Sequence, residues 1–163
     1  MKEVPVLHTA RLTLRGIAEE DTPAIITLRS DPNVYKFFVS PHQITEEEHL
    51  KWYKYSYLSN ENRIDWIAFD TANNLVGVFG LKRENEKSVE AEVSYILLPK
   101  QYGKGFAAEA VRRLIRFCGE KWKCAYVTAE VHENNLDSIC FAEKLQFKLE
   151  KKTEVFLRYK RRV

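Results

Sequence analysis

The sequence predicts an α/β (α+β) fold, with one mixed sheet of about six to seven strands and helices on both faces. Three observations lead there. Several short runs alternate apolar and polar residues, as half-buried strands do. The early runs are joined by tight turn sequences, which makes them antiparallel neighbours. Late in the chain a strand, a helix and a strand follow one another, the pattern of a crossover connection.

Residues 12–15, Leu12-Thr13-Leu14-Arg15, alternate and open the sheet. Asp21 or Thr22 caps a short helix through Leu28, which Asp31-Pro32 ends because the residue before a proline disfavours helix. Thr45 and Glu48 form a capping box, and the acidic turn Glu46-Glu47-Glu48 suits the positive end of a helix dipole. That helix should run to about residue 58, with Leu50, Tyr53 and Tyr57 along one face. Strands at 66–70 and 75–81 flank Ala72-Asn73-Asn74 as a hairpin, and residues 84–87 read as another turn. Residues 90–98 are the clearest strand, with Val93, Tyr95 and Leu97 on one face and Pro99 at its end. Gly103-Lys104-Gly105 then leads into a helix that places Ala107, Ala110, Val111, Leu114 and Cys118 on its buried face. A strand at 126–131, a helix at 136–145 and short strands at 147–149 and 155–159 complete the order βααβββαβαββ.

A length of 163 residues suits a single domain, 1–163. An apolar share of 45% and a charged share of 30% are ordinary for a globular chain, and a net charge of +3 is too mild to argue for a nucleic-acid partner. Lys151, Lys152, Arg158, Lys160, Arg161 and Arg162 bunch near the C-terminus and read as a solvated edge strand and tail. Three cysteines without a C-x-x-C spacing point to a reducing compartment, and four scattered histidines offer no metal site. With no long apolar run and no apolar core behind Met1, the expected location is the cytoplasm, with no membrane partner.

The segment Gln101-Tyr102-Gly103-Lys104-Gly105-Phe106-Ala107 carries the chemistry. First-turn amides of a helix lack intrahelical acceptors and sit at the positive end of its dipole. Glycines let a phosphate approach the backbone and tolerate positive φ, and Lys104 adds a charge. The same glycines would also serve a plain strand-to-helix turn. A dinucleotide fingerprint, G-x-G-x-x-A, is met as well, with Glu130 near the place of its ribose-binding acid. Position argues against it: about 30 residues remain after Glu130, too few for the further β-α units of that fold.

The segments Ala91-Glu92-Val93-Ser94-Tyr95-Ile96-Leu97-Leu98-Pro99 and Tyr102-Gly103-Lys104-Gly105-Phe106-Ala107-Ala108-Glu109-Ala110 resemble the acetyl-CoA motif of the GNAT superfamily of N-acetyltransferases. Within it, the chain looks closest to the branch of the ribosomal-protein N-terminal acetyltransferases RimJ and RimL. Thr9-Ala10-Arg11-Leu12-Thr13-Leu14-Arg15 resembles that family's opening strand, Asp31-Pro32-Asn33-Val34 its acceptor-side loop, and Asn135-Leu136-Asp137-Ser138 with Glu143-Lys144-Leu145-Gln146-Phe147 its second cofactor motif. Two departures stand out: Gln146 where the family usually has glycine, and Ala142 where many relatives carry a proton-donating tyrosine.

The resemblance implies a mostly antiparallel twisted sheet, acetyl-CoA as cofactor, and a primary amine as acceptor, either a peptide N-terminus or a small amine, attacked directly in a ternary complex. It makes Glu92 the first choice for the base, Glu90 the second, and Ser138 the remaining proton donor. It implies that backbone groups of Ile96 and Leu98 hold the pantetheine, that amides around Tyr102, Gly103, Lys104, Gly105, Phe106 and Ala107 take the pyrophosphate, and that Asn135 and Ser138 line the arm. For Glu92 and Glu90 the competing reading is a solvent-facing strand position, and for Asn135 and Ser138 it is helix capping. Tyr35, Phe37, Phe38 and Trp66 are candidates for the acceptor wall or for the core. A non-catalytic acyl-CoA-binding sensor or interaction module is the competing function, and the chain is expected as a monomer or homodimer.

Overall fold

Alternating residues become strand pleats along most of the chain, and the two faces they create collect two different cores. A computed structural model describes residues 2–163. Its elements are β1 (Leu7–His8), β2 (Leu12–Gly16), α1 (Thr22–Arg29), α2 (Pro32–Tyr35), α3 (Glu46–Trp52), β3 (Arg63–Asp70), β4 (Leu75–Lys82), β5 (Glu90–Leu97), α4 (Phe106–Lys121), β6 (Tyr126–His132), α5 (Leu136–Lys144), β7 (Lys148–Thr153) and β8 (Phe156–Arg162).

The strands form one sheet in the order β1-β2-β3-β4-β5-β6-β8-β7. Among the described residues only β5 and β6 form a parallel pair, joined by the crossover helix α4; α5 joins β6 to β7, but β8 lies between those two. The sheet has eight strands rather than six or seven. The extra one, β1, is two residues long, too short for a period-two signal, and exists by pairing Leu7 with Leu14 and His8 with Thr13.

One face of the sheet packs on α4 and α5 through Trp66, Phe79, Leu81, Ala91, Val93, Val111, Leu114 and Ala142. The other carries a smaller core of Ile17, Ile25, Tyr53, Tyr57 and Ile67 under α1 and α3. Trp66 belongs to the first face: it is fully buried, meets Phe117 edge-on at 5.3 Å, and its indole nitrogen donates to the Pro5 carbonyl. It is core, not acceptor wall.

Three other expectations shift. The helix begun by the Thr45 cap ends as α-helix at Trp52 and continues as one π-turn through Tyr57. His49 rather than Leu50 occupies its buried face with Tyr53 and Tyr57. The basic C-terminal strand is not an edge: β8 lies between β6 and β7, with Arg158 and Lys160 paired to Glu90 and Glu150, and β7 forms the edge.

Candidate functional site

The site begins where the sheet comes apart. β5 pairs with β4 along Lys82↔Glu92 to Gly77↔Leu97, but with β6 only across Glu90↔Tyr126, Ala91↔Val127 and Glu92↔Thr128. Beyond Glu92 the two parallel strands diverge, so one edge of β5 from Val93 onward has no partner strand among the described residues. Such an edge offers amide and carbonyl groups to an extended ligand.

Strand alternation decides which groups those are. The Leu98 amide donates to the Val76 carbonyl (3.0 Å), and the Leu98 carbonyl accepts from the Gln101 amide (2.9 Å). Both backbone groups of Leu98 are therefore engaged, and those of Ile96, two residues earlier, share its direction toward β4. The free edge instead presents Val93, Tyr95 and Leu97, which corrects the assignment of Ile96 and Leu98 by one residue.

Immediately after β5 comes the glycine turn. Gly103 and Gly105 have φ of +75° and +81°, left-handed values that side-chain-bearing residues resist. A Cβ on Gly103 would meet nothing within 4 Å, so the turn opens outward. Gly105 is the N-cap of α4 with no side-chain cap, leaving the amides of Phe106 and Ala107 at the head of a 16-residue helix. The turn is held from below by Gln101, only 3% exposed, whose amide nitrogen donates to the Leu75 carbonyl and whose oxygen accepts from Lys104 Nζ, both at 3.0 Å. Tyr102 is exposed beside it, with burial and the charges of Asp31 and Asp137 raising its pKa.

Arg11 braces the same turn from far away in sequence. Its Nη1 donates to the Lys104 carbonyl (2.8 Å), its Nε pairs with Glu109 (3.3 Å), and its guanidinium lies 4.6 Å from the Phe106 ring centroid. The local pattern around Arg11 marks an opening strand and nothing of a contact 93 positions away.

Glu92 stands at the fork as the last residue of β5 paired with β6. Burial, then the neighbouring charge of Glu130, raises its pKa above the ordinary glutamate value. Glu90 goes the other way: burial alone would raise it, but Lys160 (3.1 Å) and Arg158 outweigh that and hold its carboxyl low. Glu90 is an ion-paired brace between β5 and β8.

Across the fork, Asn135 caps α5 by accepting from the Ser138 amide (3.3 Å), so the capping reading holds for that backbone contact. The Ser138 hydroxyl remains free of that bond and lies beside Tyr95, whose own pKa is pushed up to about 12 chiefly by burial. Tyr95 packs on Phe141 at 4.9 Å, and Ala142 is buried in the core.

Over the Glu92 face runs α2 and the segment that follows it. Phe37 packs on His132 of β6 (5.5 Å) and the Arg29 guanidinium lies 5.3 Å from Phe38, so the segment arches from the end of α1 across to β6. No helix among the described residues is long and apolar enough to cross a membrane.

Residues 11–148 match the acetyltransferase (GNAT) domain family. An uncharacterized N-acetyltransferase, p20, of Bacillus licheniformis is 31% identical over 148 residues, covering 88% of this chain and 83% of that protein. The chain spans only 29% of the length of another curated relative. Among solved structures, spermidine N-acetyltransferase from Vibrio cholerae in complex with CoA and spermine superposes with a TM-score of 0.83 at 21% identity, over 93% of this chain and 95% of that one. RimL, a ribosomal alpha-N-protein acetyltransferase in complex with coenzyme A, gives a TM-score of 0.83 at 17% identity over 98% of both chains. At these identities the two structures share the fold with this chain.

Proposed function

We propose that this chain, which belongs to the acetyltransferase (GNAT) domain family, is an N-acetyltransferase that moves the acetyl group of acetyl-CoA to a primary amine by direct attack in a ternary complex. The observation that carries this reading is the fork itself: a half-buried carboxylate at its apex, a free strand edge beside it, and an uncapped helix N-terminus at its mouth. Residues 1–163 act as one domain in this reading, and the three free cysteines suit a reducing compartment such as the cytoplasm.

Acetyl-CoA supplies a thioester, whose acetyl carbon bonds to the amine nitrogen as its carbon–sulfur bond breaks. The amides of Gly103 to Ala107, helped by Lys104, bind the pyrophosphate, and the β5 edge from Val93 to Leu97 binds the pantetheine as an added strand. Glu92 accepts the proton of the incoming amine, directly or through one water. A carboxyl with a raised pKa is a better base than an ordinary one. An α-amine, with a solution pKa of about 8, needs less help than a lysine-like amine at about 10.4. Ser138, at the head of α5, returns a proton to the sulfur, a task in which solvent can replace it; Ala142 has no group to offer.

The buried, inert Ala142 also favours a second reading, an acyl-CoA-binding module without turnover. A thiol-release assay with acetyl-CoA against peptides, polyamines and amino sugars separates the two, run beside a titration of cofactor binding. Release with one acceptor class is the expected result. Tight cofactor binding without release on any acceptor would favour the module, and absence of acetyl-CoA binding would defeat both.

A further inference from the structure

At the α1–α3 end of the same sheet face lies a polar cluster that acetyl transfer does not require. Arg29 ends α1 with its Nε sealed from solvent and without a hydrogen-bond partner among the described residues. Its nearest charged neighbours are Arg63, which repels it, and Asp65, which is already bound by Arg63 through Nε (2.7 Å). His49 of α3 is 1% exposed, and neither ring nitrogen has a partner among the described residues. It sits 5.5 Å from Trp52, and Arg63 lies 4.9 Å from the same ring. Arg29 Nε and both His49 ring nitrogens therefore lie unpartnered near Arg63, whose own ion pair is with Asp65.

Leaving the Arg29 Nε–H and both His49 ring nitrogens buried without partners is costly, and a ligand that supplies the missing acceptor offsets the cost. Arg63 and the base share one face of the sheet. Arg63, Lys82 and Glu92 are in register across β3, β4 and β5, so Arg63 and Glu92 are two strand spacings apart, about 10 Å between backbones. Arg63 is within electrostatic reach of Glu92 on one side and of Arg29 on the other. The charge pattern is directional: carboxylates of Glu92 and Glu130 at the fork, unpaired cationic and donor groups at the α1–α3 wall.

We infer that Arg29 and His49 form an anion subsite of the acceptor site, and that the acceptor is an amine that also carries a carboxylate or phosphate. This rests on the acetyltransferase reading. The amine lies at Glu92 and the anion is held bidentately by Arg29, with His49 as a second donor. A polycation such as a polyamine meets an uncompensated positive wall instead, and is a poor acceptor.

The test uses pairs that share an amine and differ in the anion: lysine against cadaverine, 3-aminopropyl phosphate against 3-aminopropanol, and a short peptide with Asp as its second residue against the same peptide with Asn. For at least one pair, wild type should favour the anionic member by about 10-fold or more in kcat/KM, the worth of one charge-assisted contact. The preferred pair identifies the source of the anion. In Arg29→Gln that preference should fall to near parity through a loss in kcat/KM for the anionic member, and the melting temperature should hold or rise, because a half-buried cation repelled by Arg63 has been removed. Preference for the neutral members or for spermidine, or a preference that survives Arg29→Gln, overturns the subsite. A separate arm titrates glutarate against the acetyl-CoA-loaded protein. Saturable binding lost in Arg29→Gln supports the subsite even where no acceptor turns over, which would be a failure of the acetyltransferase reading alone. No glutarate binding together with no anion preference sinks the inference.

Discussion

At Glu92 the burial that suits a base also weighs on the fold. Its folded-state pKa lies above the ordinary 4.5, raised by desolvation and by Glu130. The folded state therefore holds a proton that the unfolded state has released, and stability is lost as pH rises from the ordinary value through the raised one. Glu92→Gln should accordingly be at least as stable as wild type at pH 7, with the difference shrinking toward pH 4, as thermal melts across that range will show. The same variant should lose about 10²–10⁴ in kcat/KM while binding acetyl-CoA normally. In wild type, the acidic limb of the kcat/KM profile should lie above the usual carboxylate range. A second residue-scale cost sits at Gln146, which follows α5 with φ of +65° in the place where relatives have glycine. Because its side chain is exposed, Gln146→Gly should raise stability by about 1 kcal/mol in a urea titration without altering turnover.

α4 contributes its first turn to the site and its buried stripe to the core, and the two jobs are separable. Glycine at 105 answers the positive φ, while Arg11 and Gln101 hold the turn in place from β2's approach and from below. Gly105→Glu puts a side chain on a left-handed residue 3.3 Å from Arg11 Nη2 and a negative charge at the helix head. Acetyl-CoA binding measured by calorimetry should be lost, with the helix still folded by circular dichroism. Arg11→Ala should be milder, raising KM for acetyl-CoA about 10-fold with little change in kcat, since it loosens the turn without touching the base. Arg11→Lys should recover only part of the loss, because lysine lacks the fork that spans Lys104 and Glu109.

Across the whole molecule, function depends on a sheet that is continuous up to the fork and open beyond it. β4 and β5 come so close at Gly77 that a Cβ there would lie 2.3 Å from the Ile96 carbonyl oxygen, a backbone atom that cannot turn aside. Gly77→Ala should therefore cost about 3 kcal/mol in urea unfolding and weaken cofactor binding with it. The strands and helices themselves were largely legible, because 127–131 and 90–95 alternate and the helix after Gly105 has a clean apolar stripe. The phosphate turn was legible for the same reason: its chemistry is local. The acceptor side was not. Trp66 was a candidate for the wall and lies on the opposite face, while Arg29, His49 and Arg63, spread over 35 positions, were passed over.

By itself, the sequence determined the order of elements, the glycine turn proposed to receive a phosphate, and the strand that carries Glu92, since each depends on residues a few positions apart. Only the tertiary structure decided where β5 parts from β6, that Glu90 is tied to Arg158 and Lys160 while Glu92 is not, and that Leu98 spends its backbone on Val76 and Gln101. Those outcomes turn on register and on burial, which arise when distant segments compete for the same partners, and no local pattern encodes which of them wins.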